Sequence, residues 1–443
     1  MKINAIGGYS EVGKNMTLLE NKEDAFIFDE GFYLPAIVEM QEKEKGIYTE
    51  ERLRRIEAIP NDKIIDEKAY KVKAQIISHA HLDHVGAVPF ISNKYNASIY
   101  GTPFTNAILD SLASDSNIFL RNRIKTIQPN SSFDITGKKE NYKIEFINIT
   151  HSTPQTSIIA LKSKEGIYMY ANDFKIDNDP ILGLKPNYQK LKELSKEGIK
   201  ALIIDSLYSG TERKTPSERI ARNLLEEVLF GIGKENSAIF VTTFSSHIAR
   251  LKSIVEFGER LGRDIVFLGR SLEKYCKAAK EIGIAPFLRK VRICSYRKQI
   301  ERELLKIERK RNNYLVVCTG HQGEPGSILE RLSRGEISFN FKQDDNIIFS
   351  SSVIPTEINK NNFSKMEERL KKKKVRIFKD VHVSGHASRE DLRDMIKLLN
   401  PENIIPSHGD STKTSPMVEL AEEMGYKNKK NIHQLKNEDS VEL

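Results

Sequence analysis

Residues 78–86 read SHAHLDHVG and place four metal-binding side chains within six positions. The four are His79, His81, Asp83 and His84. The preceding run AQIIS predicts a short buried strand, and because alternate residues of a strand share a face, we expect His79 and His81 to bind one ion together. The glycine that follows predicts a turn, which lets Asp83 and His84 face a second ion. Imidazole and carboxylate groups are ligands that zinc and manganese accept.

Three later residues repeat one pattern, in which a β-rich run ends in a histidine or an aspartate. They are His151 in INITHST, Asp173 in IYMYANDF and His408 in NIIPSHGD. Each predicted strand gives way to a loop at that point, which is where rigid scaffolds present reactive groups. We therefore predict two metals that share Asp173 as a bridging ligand. The remaining predicted ligands are His79, His81 and His151 for one metal, and Asp83, His84 and His408 for the other.

A pair of divalent cations indicates hydrolytic chemistry. Two cations ~3.5–4 Å apart can share and deprotonate one water, which gives hydroxide at neutral pH. The same pair stabilises charge on an attacked phosphate. We expect Asp83 both to bind metal and to orient the nucleophile. Zinc is the expected ion, with manganese and magnesium as alternatives.

The composition is that of a globular chain with an excess of basic residues. With 443 residues, the chain is long enough for two domains. Its net charge of +9 and its pI of ≈ 9.1 favour a polyanionic partner, and no apolar run is long enough to cross a membrane. Cys276, Cys294 and Cys318 are far apart among apolar residues, so we expect buried free thiols and a reducing, cytoplasmic compartment.

The order of the predicted elements changes near residue 206. Residues 1–205 predict short strands broken by turns, with the highly charged segment 39–58 as an exposed helical insertion. Residues 206–378 predict strands that alternate with amphipathic helices, which is typical of a parallel α/β layer. Because His408 must meet the ligands of the first region, residues 379–443 are expected to return to it. The chain is therefore predicted to be a discontinuous domain interrupted by an α/β domain, with the metals in the cleft between them.

These motifs resemble those of the metallo-β-lactamase superfamily. Asp29, which ends the run AFIFD, matches a carboxylate that supports the HxHxDH loop from behind the ligands. The insertion after Asp205, followed by VHVSGHAS and PSHG, resembles the β-CASP nucleases, whose additional motifs match Asp205, His386 and His408. A histidine at the position of His408 is associated with members that cleave RNA. The resemblance implies an α/β protein of the α+β type, in which an αββα metallo-β-lactamase sandwich is interrupted by an inserted α/β β-CASP domain.

Further stretches are similar to the ribonuclease J family and together span nearly the whole chain. They are GGYSEVGKNM at 7–16, FLGRS at 267–271, CTGHQGEP at 318–325 and HVSGHAS at 382–388. The short segment after His408 resembles the archaeal members, whereas the bacterial members carry an additional C-terminal domain. One departure is His321, where bacterial members usually have serine. This residue could be a substrate contact or an ordinary loop histidine.

The resemblance implies a ribonuclease that degrades single-stranded RNA from the 5′ end, favours a 5′-monophosphate and can form a homodimer. His386 would donate a hydrogen bond to the scissile phosphate or protonate the leaving 3′-oxygen. A 5′-phosphate pocket would consist of small and polar residues whose N–H and O–H groups can approach a phosphate. Its predicted members are His382, Ser384, Gly385, Ala387 and Ser388. Ser384 and Ser388 could instead cap the following helix.

Two stretches of the insert have more than one interpretation. The sequence FSSH at 244–247 follows a predicted strand, where Phe244 or His247 could stack on a base. Core packing and helix capping are equally compatible with this stretch. Arg270 in FLGRS could neutralise an RNA phosphate or form an intramolecular salt bridge.

Three other functions are compatible with parts of this sequence. An endonuclease of the cleavage and polyadenylation type would use the same metals on internal phosphates. A thioester hydrolase of the glyoxalase II type would leave the long insert and the basic charge unexplained. An RNA-binding scaffold with an inactive site would lack metal ligands, whereas all seven predicted ligands are present.

Overall fold

The computed structural model describes residues 1–43, 48–232, 236–354 and 356–443. The strands of the first region are β1 (Lys2–Gly7), β2 (Met16–Glu20), β3 (Ala25–Phe28), β4 (Val72–Ile76), β5 (Ser98–Gly101), β6 (Ile124–Thr126), β7 (Ser131–Thr136), β8 (Asn141–Asn148), β9 (Ser157–Ser163), β10 (Gly166–Ala171) and β11 (Ile199–Asp205). Its helices are α1 (Leu34–Lys43), α2 (Glu50–Arg55), α3 (Leu82–Val85), α4 (Val88–Ile91), α5 (Pro103–Asp115) and α6 (Tyr188–Glu197). The predicted helical insertion at 39–58 is shared between α1 and α2, and its residues 44–47 lie outside the described ranges.

The rest of the chain supplies a second series of strands and helices. The helices are α7 (Glu218–Gly231), α8 (Ile248–Arg260), α9 (Arg270–Glu281), α10 (Arg297–Arg309), α11 (Ile328–Arg334), α12 (Glu357–Lys372), α13 (Arg389–Leu399) and α14 (Ser411–Glu423). The strands are β12 (Ile239–Thr242), β13 (Asp264–Leu268), β14 (Arg292–Cys294), β15 (Tyr314–Cys318), β16 (Asn346–Phe349), β17 (Arg376–Phe378), β18 (Ile404–Ser407) and β19 (Ser440–Glu442).

The alternation of side chains along the strands explains why two of the sheets form a sandwich. In β3, Phe26 and Phe28 lie in the core between the sheets, whereas Ala25 and Ile27 pack under helices on the outer face. The second sheet buries its outer face under α6, α13 and α14. In the described ranges, the strand orders are β19-β1-β2-β3-β4-β5-β6 for the first sheet and β18-β11-β10-β9-β8-β7 for the second. The predicted αββα sandwich is confirmed.

The insert forms a third sheet whose strands are parallel. Its order in the described part of the chain is β14-β13-β15-β12-β16-β17. Helices α7, α8 and α9 cover one face and α10, α11 and α12 the other. Both faces are buried, which explains continuous apolar runs such as YLVVC in β15. The predicted α/β insert is confirmed, and the domain limits at 206 and 378 stay predictions.

One apolar cluster joins the insert to the first region. It contains Ile77 and Val85, which flank the histidine-rich loop, together with Tyr275 of α9. The Tyr275 ring lies 6.3 Å from that of Phe104 between centroids, and its hydroxyl donates to Ala80 O at 3.4 Å. The insert therefore packs directly behind the loop of residues 77–85.

The cysteines are buried and unpaired, as predicted. Burial raises the pKa of the Cys276 thiol to about 12, so this group stays protonated and unreactive near neutral pH. Among the helices of the described ranges, none combines the length and the apolar character needed to span a membrane.

Candidate metal centre

Three predicted site residues follow strands and have left-handed backbone conformations. Asp29 follows β3 with φ 57°, Asp173 lies two residues beyond β10 with φ 56°, and His408 follows β18 with φ 59°. Residues with a Cβ rarely adopt this region, and such residues are found mainly in tight turns and at functional sites. The three turns at the sheet edges explain how the ends of separate strands contribute to one cluster.

The loop that follows β4 differs from the prediction in one respect. β4 confirms the predicted strand but ends at Ile76, so the placement of His79 and His81 on that strand is wrong, and both lie in the connection to α3. The connection remains extended at His81, with φ −75° and ψ 147°, because α3 begins only at the next residue. The centroids of the His79 and His81 rings lie 4.9 Å apart. The two rings are therefore close because the loop between β4 and α3 is extended, and not because the residues share one face of a strand.

The ligand atoms of the seven predicted residues form two groups that share Asp173. The first consists of His79, His81, His151 and Asp173, the second of Asp83, His84, Asp173 and His408, and the atoms within each group lie within 4.8 Å of one another. Asp173 Oδ2 lies 3.5 Å from His79 Nε2 and 3.2 Å from His84 Nε2. Its Oδ1 lies 3.2 Å from His408 Nδ1. The structure thus brings together all seven residues in the grouping that the sequence predicts, and their role as metal ligands stays a prediction.

Unsatisfied atoms at the centre of the cluster fit a cation. His79 Nε2 and Asp173 Oδ1 are buried without a hydrogen-bond partner, although buried polar atoms are nearly always paired. His81 Nδ1 and His151 Nε2 lie 3.0 Å apart, so two ring nitrogens converge on the same space. A cation between them would use both lone pairs. Imidazole nitrogen and carboxylate oxygen are also the donor set of many zinc sites.

The electrostatics favour ligand forms for most of these groups. Burial, reinforced by neighbouring histidines, holds the pKa of His81 and of His151 well below its usual range. Burial alone would raise the pKa of Asp173, but nearby His408 and His84 hold it well below its usual range. Burial would likewise lower the pKa of His84, but surrounding carboxylates raise it well above normal. A cation would displace that proton.

Asp29 supports the histidine-rich loop in the way that the resemblance implies. The carboxylate is fully buried and accepts hydrogen bonds from His84 Nδ1–H at 2.7 Å and Ser78 Oγ–H at 2.8 Å. Because the Ser78 hydroxyl donates to Asp29, its oxygen can accept from His79 Nδ1–H at 2.9 Å. Both histidines are thereby held in the tautomer that leaves Nε2 facing Asp173.

Asn15 belongs to the cluster but was not singled out from the sequence. Its Nδ2 lies 3.0 Å from both His84 Nε2 and His408 Nδ1, and its Oδ1 accepts from Asn172 Nδ2 at 3.0 Å. Only 1% of Asn15 is exposed. The available signal was its place in GGYSEVGKNM, because an amide by itself does not indicate a metal site.

His386 approaches the cluster from the return segment. Its Nδ1–H donates to Asp205 Oδ2 at 2.8 Å, and its Nε2 lies 3.8 Å from Asp173 Oδ2. Burial would lower the pKa of His386, but the carboxylates of Asp173 and Asp205 outweigh it and raise the pKa to about 9. These three residues also form a third group of possible ligands. The position is therefore compatible with proton donation and with metal binding.

The predicted phosphate pocket lies beside His151. A Cβ on Gly385 would lie 2.9 Å from Ser152 Cβ and 3.1 Å from His151 Cε1, and because the first distance is too short for a real Cβ contact, a glycine fits here without a shift of the neighbouring residues. The Gly385 carbonyl accepts from His151 Nδ1–H at 2.7 Å, which leaves His151 Nε2 facing the cluster. The Ser384 hydroxyl accepts from the His386 backbone N–H at 3.0 Å. The carbonyl oxygen of Gly385 therefore orients His151, and this role does not depend on whether the Gly385 N–H binds a phosphate.

Two other predicted pocket residues make internal contacts. The Ala387 N–H donates to Phe174 O at 2.6 Å. Ser388 occupies the N-cap position of α13, and its hydroxyl lies 2.9 Å from Thr215 Oγ1. The structure thus gives Ser388 the capping position that the sequence allowed, and its possible contact with phosphate stays a prediction.

The stretch 244–247 and His321 meet near the predicted pocket. The Phe244 ring lies 4.2 Å from that of His321 and 6.3 Å from that of His382, measured between centroids. His247 caps α8 by accepting from Arg250 N at 3.3 Å and is 2% exposed, which favours capping over base stacking for this residue. Arg270 is exposed at the first residue of α9, and both interpretations of it stay open.

A cavity of ≈ 340 Å³ lies between the first region and the insert, beside the cluster. His151 and Lys175 line it on one side, and Glu218, His247 and Ala249 line it on the other. Of the seven predicted ligands, His151 is the one among the residues that line this cavity, so the placement of the metals in a cleft between the two parts of the chain stays a prediction.

Family models match three successive parts of the chain. Residues 9–115 match the metallo-β-lactamase superfamily, residues 236–370 the β-CASP domain of ribonuclease J, and residues 372–433 the RNA specificity domain of zinc-dependent metallo-hydrolases. Together with the sandwich, the parallel insert and the histidine cluster, these matches define a protein of the metallo-β-lactamase fold with an inserted β-CASP domain.

Curated relatives narrow this class. Ribonuclease J of Methanocaldococcus jannaschii is 40% identical over 99% of this chain and 97% of its own length. Ribonuclease J of Pyrococcus abyssi is also 40% identical, over 100% of this chain and 97% of its own length. The chain belongs to the ribonuclease J family. Ribonuclease J of Helicobacter pylori is 29% identical, and this chain spans 61% of its length. A solved structure of a protein of unknown function from Enterococcus faecalis shares the fold, with a TM-score of 0.65, 14% identity and 99% coverage of both chains.

Proposed function

We propose that this protein is a metal-dependent ribonuclease that degrades single-stranded RNA from the 5′ end and prefers a 5′-monophosphate. The observation that carries the proposal is the pair of ligand groups sharing Asp173 beside a cavity between the two parts of the chain. The relatives named ribonuclease J and the match to an RNA specificity domain support RNA as the substrate. The net charge of +9 is compatible with a polyanionic partner.

The two ligand groups are proposed to hold one divalent cation each. When bound, the cations supply an activated water and stabilise the charge on the attacked phosphate. His79, His81 and His151 would hold the first, Asp83, His84 and His408 the second, and Asp173 would bind both. Asp29 fixes the ring orientations of His79 and His84 from behind. We propose zinc because imidazole nitrogen and carboxylate oxygen, which make up both ligand groups, are donors that zinc accepts, with manganese or magnesium as alternatives.

His386 is proposed to act on the scissile phosphate. Asp205 accepts its Nδ1–H at 2.8 Å, so a second proton can reside only on Nε2, the nitrogen that faces the cluster. From there the imidazolium can donate a hydrogen bond to a phosphate oxygen or a proton to the leaving 3′-oxygen. Asp205 therefore orients the ring and favours its charged form. Asp83, on the first turn of α3, is proposed to orient the attacking water as well as to bind metal.

The RNA 5′ end is proposed to bind near residues 382–388, beside His151. The proposed pocket members are His382, Ser384, Gly385, Ala387 and Ser388, of which the Ala387 N–H already donates to Phe174 O. A 5′-phosphate held there would fix the distance from the chain end to the attacked bond and so favour removal of nucleotides from the 5′ end. We also propose a cytoplasmic location, from the free buried thiols, and the homodimer stays a prediction.

An end-labelled RNA assay tests this function. One RNA is labelled at its 5′ end or at its 3′ end and carries either a 5′-monophosphate or a 5′-triphosphate, and each form is incubated with Mn²⁺, Mg²⁺ or Zn²⁺. We expect immediate release of labelled mononucleotide from the 5′ label, faster with the monophosphate. Discrete internal fragments from both labels would contradict exclusive 5′-to-3′ action and would support the endonuclease.

Asp173→Asn is the matched inactive variant for this assay. Asparagine tolerates the left-handed backbone at this position, so the change removes charge with little backbone strain. We expect it to abolish RNA cleavage, because the carboxylate is common to both ligand groups. Cleavage at the wild-type rate by this variant would refute the assigned metal centre.

A further inference from the structure

Each histidine of the first ligand group needs a fixed tautomer. His79 donates its Nδ1–H to Ser78 Oγ at 2.9 Å, and His151 donates its Nδ1–H to Gly385 O at 2.7 Å. In both rings the opposite nitrogen then faces Asp173. A metal-binding histidine usually donates its other N–H to such a partner, which fixes the ring and its tautomer. His81 requires an equivalent partner.

The partner of His81 comes from the insert. His81 Nδ1 faces the cluster, 3.0 Å from His151 Nε2, so its Nε2 points away from it. Ser246 Oγ lies 3.1 Å from that Nε2, and Ser152 Oγ lies farther away at 3.5 Å. Ser246 is 6% exposed and lies 165 residues from His81 in sequence. Among these contacts, the one to Ser246 has the better hydrogen-bond distance.

Ser246 is held in place by the structure of the insert. It lies between β12 and α8, where the His247 N–H donates to Phe244 O at 3.0 Å and the His247 ring caps α8. One turn later the fully buried Arg250 donates to both oxygens of Glu218 at 2.6 and 2.9 Å. Arg250 also donates to Ser350 O at 2.9 Å. The insert thus positions the backbone of Ser246, whose carbonyl also accepts the Ile248 N–H at 2.9 Å.

The geometry points to Ser246 as a positioning residue that orients His81 for metal binding, so that the insert completes the metal centre of the sandwich. The hydroxyl accepts the Nε2–H of His81, which leaves the Nδ1 lone pair for the cation. This inference rests on the proposed function, because it requires His81 to be a ligand. Docking of the insert against the histidine-rich loop would then affect metal affinity directly.

The test compares the variants Ser246→Ala, Ser246→Thr and Ser245→Ala with the wild type. Ser245 is the matched control because it is the neighbouring serine and its hydroxyl lies 2.9 Å from Ser271 Oγ, away from His81. The readouts are Zn²⁺ affinity by competition with a chelator, the visible absorption spectrum with Co²⁺, and the unfolding free energy of the metal-free protein.

We expect Ser246→Ala to bind one of its two Zn²⁺ ions about 10–100-fold more weakly and to change the Co²⁺ spectrum, as is typical for loss of such a partner. Ser246→Thr retains the hydroxyl and should show the wild-type Zn²⁺ affinity and Co²⁺ spectrum. Ser245→Ala should also match the wild type in both measurements. A Ser246→Ala variant with the wild-type Zn²⁺ affinity and Co²⁺ spectrum would overturn the role of Ser246 but leave the proposed function intact. Weakened binding explained by an equal loss of stability in the metal-free protein would also overturn it, and a wild type that binds no cation would overturn the proposed function first.

Discussion

At the scale of single residues, the candidate site depends on two aspartates and one histidine in a backbone conformation that residues with a side chain rarely adopt. Asp29, Asp173 and His408 all have φ near 60°. A strained backbone of this kind persists only where the surrounding structure fixes the residue. Here each residue is fixed by the end of the strand before it and by the contacts of its side chain in or behind the cluster. The residue types were recognisable in the sequence, whereas the turns that direct them depend on the sheets.

His386 provides the first prediction at this scale. Replacement by Ala should lower kcat for RNA cleavage by about 10²–10⁴-fold, the usual contribution of a proton donor, while both metals remain bound. The rate and the metal content of the same preparation are the measurements. Asp205→Asn should show a smaller loss, because the ring of His386 remains but its orientation and charge are less well fixed.

The metal content separates the two roles that the position of His386 allows. His386, Asp173 and Asp205 also form a group of possible ligands. If His386→Ala loses one equivalent of metal, the histidine is a ligand and the assignment as proton donor is wrong.

At the scale of elements, one buried ion pair connects the first two helices of the insert. Glu218 at the start of α7 and Arg250 of α8 are 3% and 0% exposed, and their side chains make two hydrogen bonds. The Glu218 N–H also donates to Asp177 Oδ2 of the first region at 2.7 Å. The pair therefore lies where the insert meets the sandwich.

Glu218→Gln should lower the free energy of unfolding by about 3–5 kcal/mol, because it leaves the buried Arg250 guanidinium without a counter-charge. Urea unfolding measures the loss. The matched control is Glu256→Gln, which breaks the pair between Arg222 and Glu256 on the same two helices. That pair is partly exposed and should contribute at most about 1 kcal/mol.

The pH dependence of this loss follows from the pKa of Glu218. Burial would raise this pKa, but Arg250 and His247 hold it well below its usual range. The stabilisation is therefore complete above the unfolded-state pKa of about 4.3 and is lost as the pH falls through the lower folded-state pKa. The difference between wild type and Glu218→Gln should shrink with acidification. A difference that stays constant down to the acid-unfolding limit would contradict the assigned ion pair.

Element types were more predictable than their junctions. Strands such as β15 are continuous apolar runs, and α7 has a serine N-cap and an amphipathic pattern, so each has a local signal. The end of β4 has no such local signal. The run AQIIS continues the apolar pattern past Ile76, and the Ile77 N–H still donates to Tyr100 O at 2.9 Å, but the Ser78 N–H donates to the Asp29 carboxylate at 2.7 Å. A contact across 49 residues of sequence therefore lies at that boundary.

At the scale of the whole molecule, the candidate metal centre joins segments that are distant along the chain. Its ligands come from residues 79–84, 151, 173 and 408, and the Asn15 contact to His408 spans 393 residues. Bound cations would therefore act as cross-links between the strands and loops of the sandwich.

Removal of the metals should lower thermal stability. A cation that binds only the folded state at 100 times its Kd adds about 2.7 kcal/mol, so we expect a chelator to lower the unfolding temperature and added metal to restore it. Differential scanning calorimetry measures the shift. Asp173→Asn, which lacks the shared carboxylate, should respond much less to the chelator. An unfolding temperature that is the same with and without chelator in the wild type would contradict two tightly bound ions.

The residues that carry chemistry could be named from the chain alone, because a histidine or an aspartate at the end of an apolar run is a local pattern. The parallel insert was likewise predicted from its alternating strands and amphipathic helices, whereas the sandwich was expected from the family resemblance. Of the partners that orient those residues, Asp29 and Asp205 were named through the family resemblance, whereas Asn15 and Ser246 were not named as partners. Asn15 Nδ2 lies 3.0 Å from His408 Nδ1 and Ser246 Oγ lies 3.1 Å from His81 Nε2, yet an amide or a hydroxyl by itself does not indicate a metal site, because such contacts form only when the sheets and the insert pack together.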